Sequence, residues 1–170
     1  LISLIPLGGA LIGVGWWAAF VRQIRGPYNT AFSESIPWLL AVLVVLVVTF
    51  GGHELLHGLA IRWAGHKPRY GMELSKGVLY ATTDQALFPR NHFLIIALTP
   101  LVALTLAGMV LMIFVPDGVG YYLGLIVVLN AAGAIGDLWM AAVVVRYPPE
   151  ALVRDEADSI RVYVQGDTSA

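Results

Sequence analysis

The sequence predicts an all-α integral membrane protein of about four transmembrane helices with a small cytoplasmic β-hairpin loop. Three observations carry that reading. Of 170 residues, 58% are hydrophobic and only 12% charged, against about 45–50% and about 25% in an average globular domain. Mean hydropathy is +0.78. The apolar residues also fall into four blocks long enough to cross a bilayer, which takes about 20 residues at 1.5 Å each. The same composition excludes disorder, collagen-like repeats and a nucleic-acid partner, since net charge is −1 and no basic run exists. With no cysteine there is no disulfide framework, thiolate metal site or cysteine nucleophile. No internal repeat appears, and residues 1–170 read as one membrane-embedded domain. The chain starts at Leu1 rather than Met, which leaves room for an upstream segment.

The predicted spans are residues 1–21, 37–63, 93–115 and 119–145, followed by a polar tail over 146–170. The first holds Pro6 and four glycines, a composition tolerated in lipid; a short re-entrant element is the other reading. Trp16, Trp17, Trp38, Trp63, Tyr121 and Tyr122 lie near span ends, where interfacial anchors concentrate, although each also suits a packing role. The loop over 64–92 carries Lys67, Arg69, Lys76 and Arg90, and Arg62 and Arg146 sit at span ends on the same side. The positive-inside rule then places that loop and the C-terminus in the cytoplasm. Within the loop, residues 70–74 and 78–82 flank Ser75-Lys76-Gly77, a turn signal between two β-prone runs. These runs read as a hairpin or as solvated connectors. Residues 159–164 alternate similarly and are a further candidate strand.

Ignoring their terminal residues, the four spans contain only four ionisable side chains: His53, Glu54, His57 and Asp137. Charged groups at membrane depth cost about 2.5–3.5 kcal/mol each on insertion scales and point to function by default. No Lys or Arg within the spans can pair with the two carboxylates. Either they take up protons, or a cation is present.

Spacing favours the cation. His53-Glu54-Leu55-Leu56-His57 places two histidines four apart, on one helix face. Glu54 projects about 100° round the axis, at the edge of that face. By chance, this pattern arises in about three of a thousand chains of this length and composition. Zinc accepts two histidines and a carboxylate and leaves a fourth position for water. Zn²⁺ with Glu54 and Asp137 ionised also sums to zero charge. The alternative is two core histidines satisfied by hydrogen bonds, with Glu54 protonated.

A third histidine at the extended zincin spacing is absent, because Ala60 and Trp63 stand there. Glu73, His66, Asp84 and His92 lie in the polar loop, where solvation accounts for them. Asp137 has no such explanation. Counted from one membrane face, His53, His57 and Asp137 lie about 24, 30 and 27 Å deep at 1.5 Å per residue. Asp137 is therefore favoured as third ligand over Glu73. Asn130, two helical turns before Asp137, is a candidate for holding substrate or an oxyanion, or for an interhelical hydrogen bond. Gly133, Gly136, Gly51, Gly52 and Gly58 thin the two helices, for close packing or for substrate access.

Three segments resemble a known group: residues 53–60 (HELLHGLA), 93–103 (FLIIALTPLVA) and 130–140 (NAAGAIGDLWM). They are similar to the putative zincin peptidase family of small prokaryotic membrane proteins, distant relatives of the site-2 intramembrane metalloproteases. The resemblance runs from the second span into the tail segment VRDEADSIRVY. It implies a prokaryotic cell-membrane protein with His53, His57 and Asp137 as Zn²⁺ ligands and Glu54 as the base that activates water. The implied activity is hydrolysis of a membrane-protein or membrane-associated peptide substrate within the lipid bilayer. Site-2 proteases usually carry Leu-Asp-Gly, whereas the order here is Ile135-Gly136-Asp137-Leu138. Two rival readings remain. A zinc-stabilised, non-catalytic scaffold or chaperone would not need Glu54. A metal transporter would want ligands at several depths rather than one.

Overall fold

The computed structural model describes residues 4–26, 37–73, 78–83, 86–115, 117–156 and 159–164. It is mostly helical. Helix α1 spans Leu4–Arg25, with Pro6 in its first turn, where a missing N–H costs little. It runs four residues past the predicted end. The second apolar block forms one continuous rod over Trp38–Trp63: helix α2 (Trp38–Leu46), a π-helical turn (Val47–Gly51) and helix α3 (Gly52–Trp63). Helix α4 covers Arg90–Phe114. The fourth block breaks into α5 (Asp117–Gly133) and α6 (Ile135–Val144), bent by 46°.

Helix α3 ends where the sequence predicts, and Gly65 is the reason. Its φ of 88° is a left-handed conformation that glycine adopts without strain. It lets Gly65 N–H reach the Arg62 carbonyl at 3.0 Å and His66 N–H the Ile61 carbonyl at 3.1 Å. This is the Schellman closure of a helix C-terminus.

Five strands accompany the helices among the described residues. β1 (Arg69–Glu73) and β2 (Val78–Thr82) form an antiparallel hairpin with Arg69 opposite Thr82 and Glu73 opposite Val78. The Ser75-Lys76-Gly77 turn lies outside the described residues, as does Asp84. A second sheet has the order β3-β4-β5, all antiparallel, from Leu87–Pro89, Leu152–Asp155 and Ile160–Tyr163. The expected tail strand therefore exists, but it pairs with β4 rather than with the hairpin. An all-α chain with one hairpin understates the β content. β3 is only three residues long and half of β4 is charged, so neither shows a readable alternation. Pairing between residues about 65 apart in sequence creates that part of the sheet.

The tertiary contacts divide the chain into two units, residues 1–53 with 101–135, and residues 54–100 with 136–170. In the first unit α1 and α2 pack on α5. Trp17 donates from Nε1 to the Met109 carbonyl at 2.9 Å, so this tryptophan packs inward, whereas Trp16 is 78% exposed. In the second unit Ile61, Phe88, Phe93, Ile96, Val144 and Val153 form the core. β3 leads directly into α4, and Arg90 N–H donates to the Ala151 carbonyl at 2.9 Å.

Among the described residues, three helices are long and apolar enough to cross a membrane, or four if the bent pair counts as one. Only 6% of the most apolar window of α1 is buried. Trp38, Trp63, Tyr121 and a row of leucines and valines on α2 are likewise exposed. Apolar surface on this scale is not stable in water, and it is consistent with a membrane protein.

Candidate metal centre

The centre is built on α3. The π-helical turn ahead of it re-phases the rod just before His53; such turns recur at functional sites. From there His53 and His57 lie one turn apart on the same helix face. Asp137 comes from the first turn of α6, where the positive end of the helix dipole favours an anion. The break after Gly133 is what makes residue 137 a first-turn residue rather than a mid-helix one.

His57 Nε2 lies 3.4 Å from Asp137 Oδ1, with the two side chains 12% and 11% exposed. The other ring nitrogen, Nδ1, lies 3.0 Å from the Ile96 carbonyl. A carbonyl only accepts, so Nδ1 carries the proton and donates. In the neutral ring Nε2 is then a lone pair facing a carboxylate. That pair of atoms calls for a shared cation or a further proton. His53 repeats the pattern: its Nδ1 is 2.9 Å from Asn130 Oδ1, while the Asn130 amide group donates to the Leu101 carbonyl at 3.5 Å. Asn130 is 1% exposed.

These residues fit a zinc ion. One ligand atom from each of His53, His57 and Asp137 lies within 4.8 Å of the others. Tetrahedral zinc with bonds of about 2.1 Å separates its ligand atoms by about 3.4 Å, the spacing found between His57 and Asp137. Histidine ligands also characteristically donate their second nitrogen to a carbonyl or carboxylate. Glu54 sits half-buried between the two histidines in sequence, in the first turn of α3.

Among the described residues, His66 and His92 fall outside this group. His66 packs edge-on against Phe88 with centroids 4.9 Å apart, and His92 lies 5.1 Å from Trp63. Aromatic packing accounts for both. Glu73 is placed by its backbone alone, in β1. Sequence reasoning missed Ile96, because its contribution is a main-chain oxygen; the available signal was Pro100, four residues on.

A mostly helical chain with apolar helices of spanning length and a His-His-Asp group able to bind a metal defines the class, a candidate metallopeptidase. Residues 42–152 match the family described as "Putative zincin peptidase", and the chain belongs to that family. The match takes in His53, Glu54, His57, Asn130 and Asp137. No curated protein and no solved structure matches the chain.

Proposed function

We propose that this protein is a zinc metalloendopeptidase of the site-2-protease kind, seated in the prokaryotic cell membrane, that cleaves membrane-associated protein substrates. The observation that carries the reading is the close grouping of His53, His57 and Asp137 in a family of zincin peptidases. Zinc, when bound, supplies Lewis acidity and a water that ionises near neutral pH. His53 and His57 offer Nε2, and Asp137 offers a carboxylate oxygen. The Glu54 carboxylate accepts the proton of the attacking water and returns it to the departing amide nitrogen. Gly136, next to Asp137 in sequence, is exposed, and a Cβ added there would meet nothing within 4 Å. The β1–β2 hairpin offers an edge to which an unwound substrate can add as a strand. With exposed Arg62 and Arg146 at helix ends, the site and C-terminus face the cytoplasm.

The test is zinc content and cleavage by the detergent-purified protein on a membrane-associated reporter. The wild type and Glu54→Gln should each hold about one zinc, Asp137→Ala should lose it, and only the wild type should cleave. A wild type without zinc or another divalent metal overturns the proposal. Full cellular function in Glu54→Gln would favour a zinc-stabilised scaffold instead.

A further inference from the structure

Helix α4 carries Pro100 in its interior, and that side chain is fully buried. A proline inside a helix has no N–H, and it therefore leaves the carbonyl four residues earlier without its helical donor. Four residues before Pro100 stands Ile96. The Ile96 carbonyl is the atom that lies 3.0 Å from His57 Nδ1. The costly proline and the histidine's acceptor are thus the same feature of the helix.

We propose that Pro100 is a positioning residue for the metal: by withholding an N–H from Ile96 it leaves that carbonyl to the Nδ1–H of His57, which turns His57 Nε2 toward Asp137. The inference rests on the reading of His53, His57 and Asp137 as metal ligands. It explains why α4 tolerates a helix-breaking residue at this depth. The orphaned carbonyl is satisfied by the imidazole, as buried backbone acceptors must be satisfied. It also explains how His57 is held rigidly. Ile96 is 7% exposed and part of the core with Phe93 and Ala97, so its carbonyl cannot swing away as a side-chain acceptor can. The other ring nitrogen, Nε2, is the one 3.4 Å from the Asp137 carboxylate.

The experiment measures the zinc dissociation constant of the full chain in detergent, by competition with a chelating indicator. Pro100→Ala restores an N–H that competes for the Ile96 carbonyl, while alanine favours the helix. Zinc affinity should fall about 10- to 100-fold, the usual effect of losing a ligand's outer hydrogen-bond partner. The α-hydroxy analogue of alanine at position 100 forms an ester without an N–H and should bind near wild-type affinity. Unchanged affinity in Pro100→Ala overturns the proposal. So does an ester variant as weak as Pro100→Ala, which would assign the effect to the shape of the ring. If Pro100→Ala does not fold, imidazole ¹⁵N spectra of the zinc-loaded wild type decide. Protonation at His57 Nδ1 with ligation through Nε2 supports the proposal, and ligation through Nδ1 overturns it. A wild type that binds no divalent metal overturns the metal reading and this inference together. A zinc-replete wild type with an unaffected Pro100→Ala overturns this inference alone.

Discussion

The two histidines of α3 are held by different kinds of acceptor: His57 by a main-chain carbonyl and His53 by the side chain of Asn130. A side-chain acceptor can be removed without touching the backbone. Asn130→Ala should therefore weaken zinc binding about 10- to 100-fold, and Asn130→Asp, which still accepts, should largely preserve it. A role in holding substrate predicts the reverse split, with zinc affinity unchanged and cleavage lost. Measuring both quantities on the same samples separates the two. At this scale much of the candidate site was legible. His53, Glu54, His57 and Asp137 stand out because a charge in an apolar segment is costly wherever the chain folds. The acceptors were harder to find. Asn130 could be named but not assigned, and Ile96 offers an atom that every residue possesses.

Among the elements, the β1–β2 hairpin and α3 approach each other at Gly58, which follows His57. Tyr70 of β1 lies so close that a Cβ on Gly58 would collide with its hydroxyl and ring. Gly58→Ala should displace the Tyr70 side chain from the helix, and Tyr70→Ala should relieve the clash. Thermal unfolding of the two single variants and the double variant should give a coupling of about 1 kcal/mol, in the range for residues in contact. Strictly additive losses would show that the hairpin does not rest on α3. The hairpin strands were visible as two β-prone runs. The break in the fourth span was not, because apolar residues run on both sides of Asn130 and Asp137 over 119–145 and neither Gly133 nor Gly136 is unusual in a membrane helix. It is the break that puts Asp137 in a first helical turn.

For the molecule as a whole, the exposed apolar surface of α1, α2 and α4 is consistent with a membrane protein. The absence of cysteine from the sequence makes the proposed orientation simple to test. Lys67→Cys should be protected from a membrane-impermeant maleimide added outside intact cells, whereas Gln23→Cys, at an exposed position in the last turn of α1 and on the opposite side of the proposed topology, should react. The opposite pattern would invert the topology and place the metal centre toward the exterior. The second sheet belongs to this scale as well. It joins Leu87–Pro89 to two strands of the tail, and Val153 within it is wholly buried.

What the amino-acid order determined by itself is whatever follows from transfer out of water: four apolar blocks, two β-prone runs and four ionisable residues that apolar surroundings penalise. Those costs are local and do not depend on which segments meet. The tertiary structure alone decided the rest. The acceptors at His57 and His53, the separation of His66 and His92 from the centre, and the pairing of β3 with β4 all depend on distances between residues far apart in the chain. For His57, the partner is a backbone carbonyl on another helix, that of Ile96 four residues before Pro100, which no side-chain pattern reports.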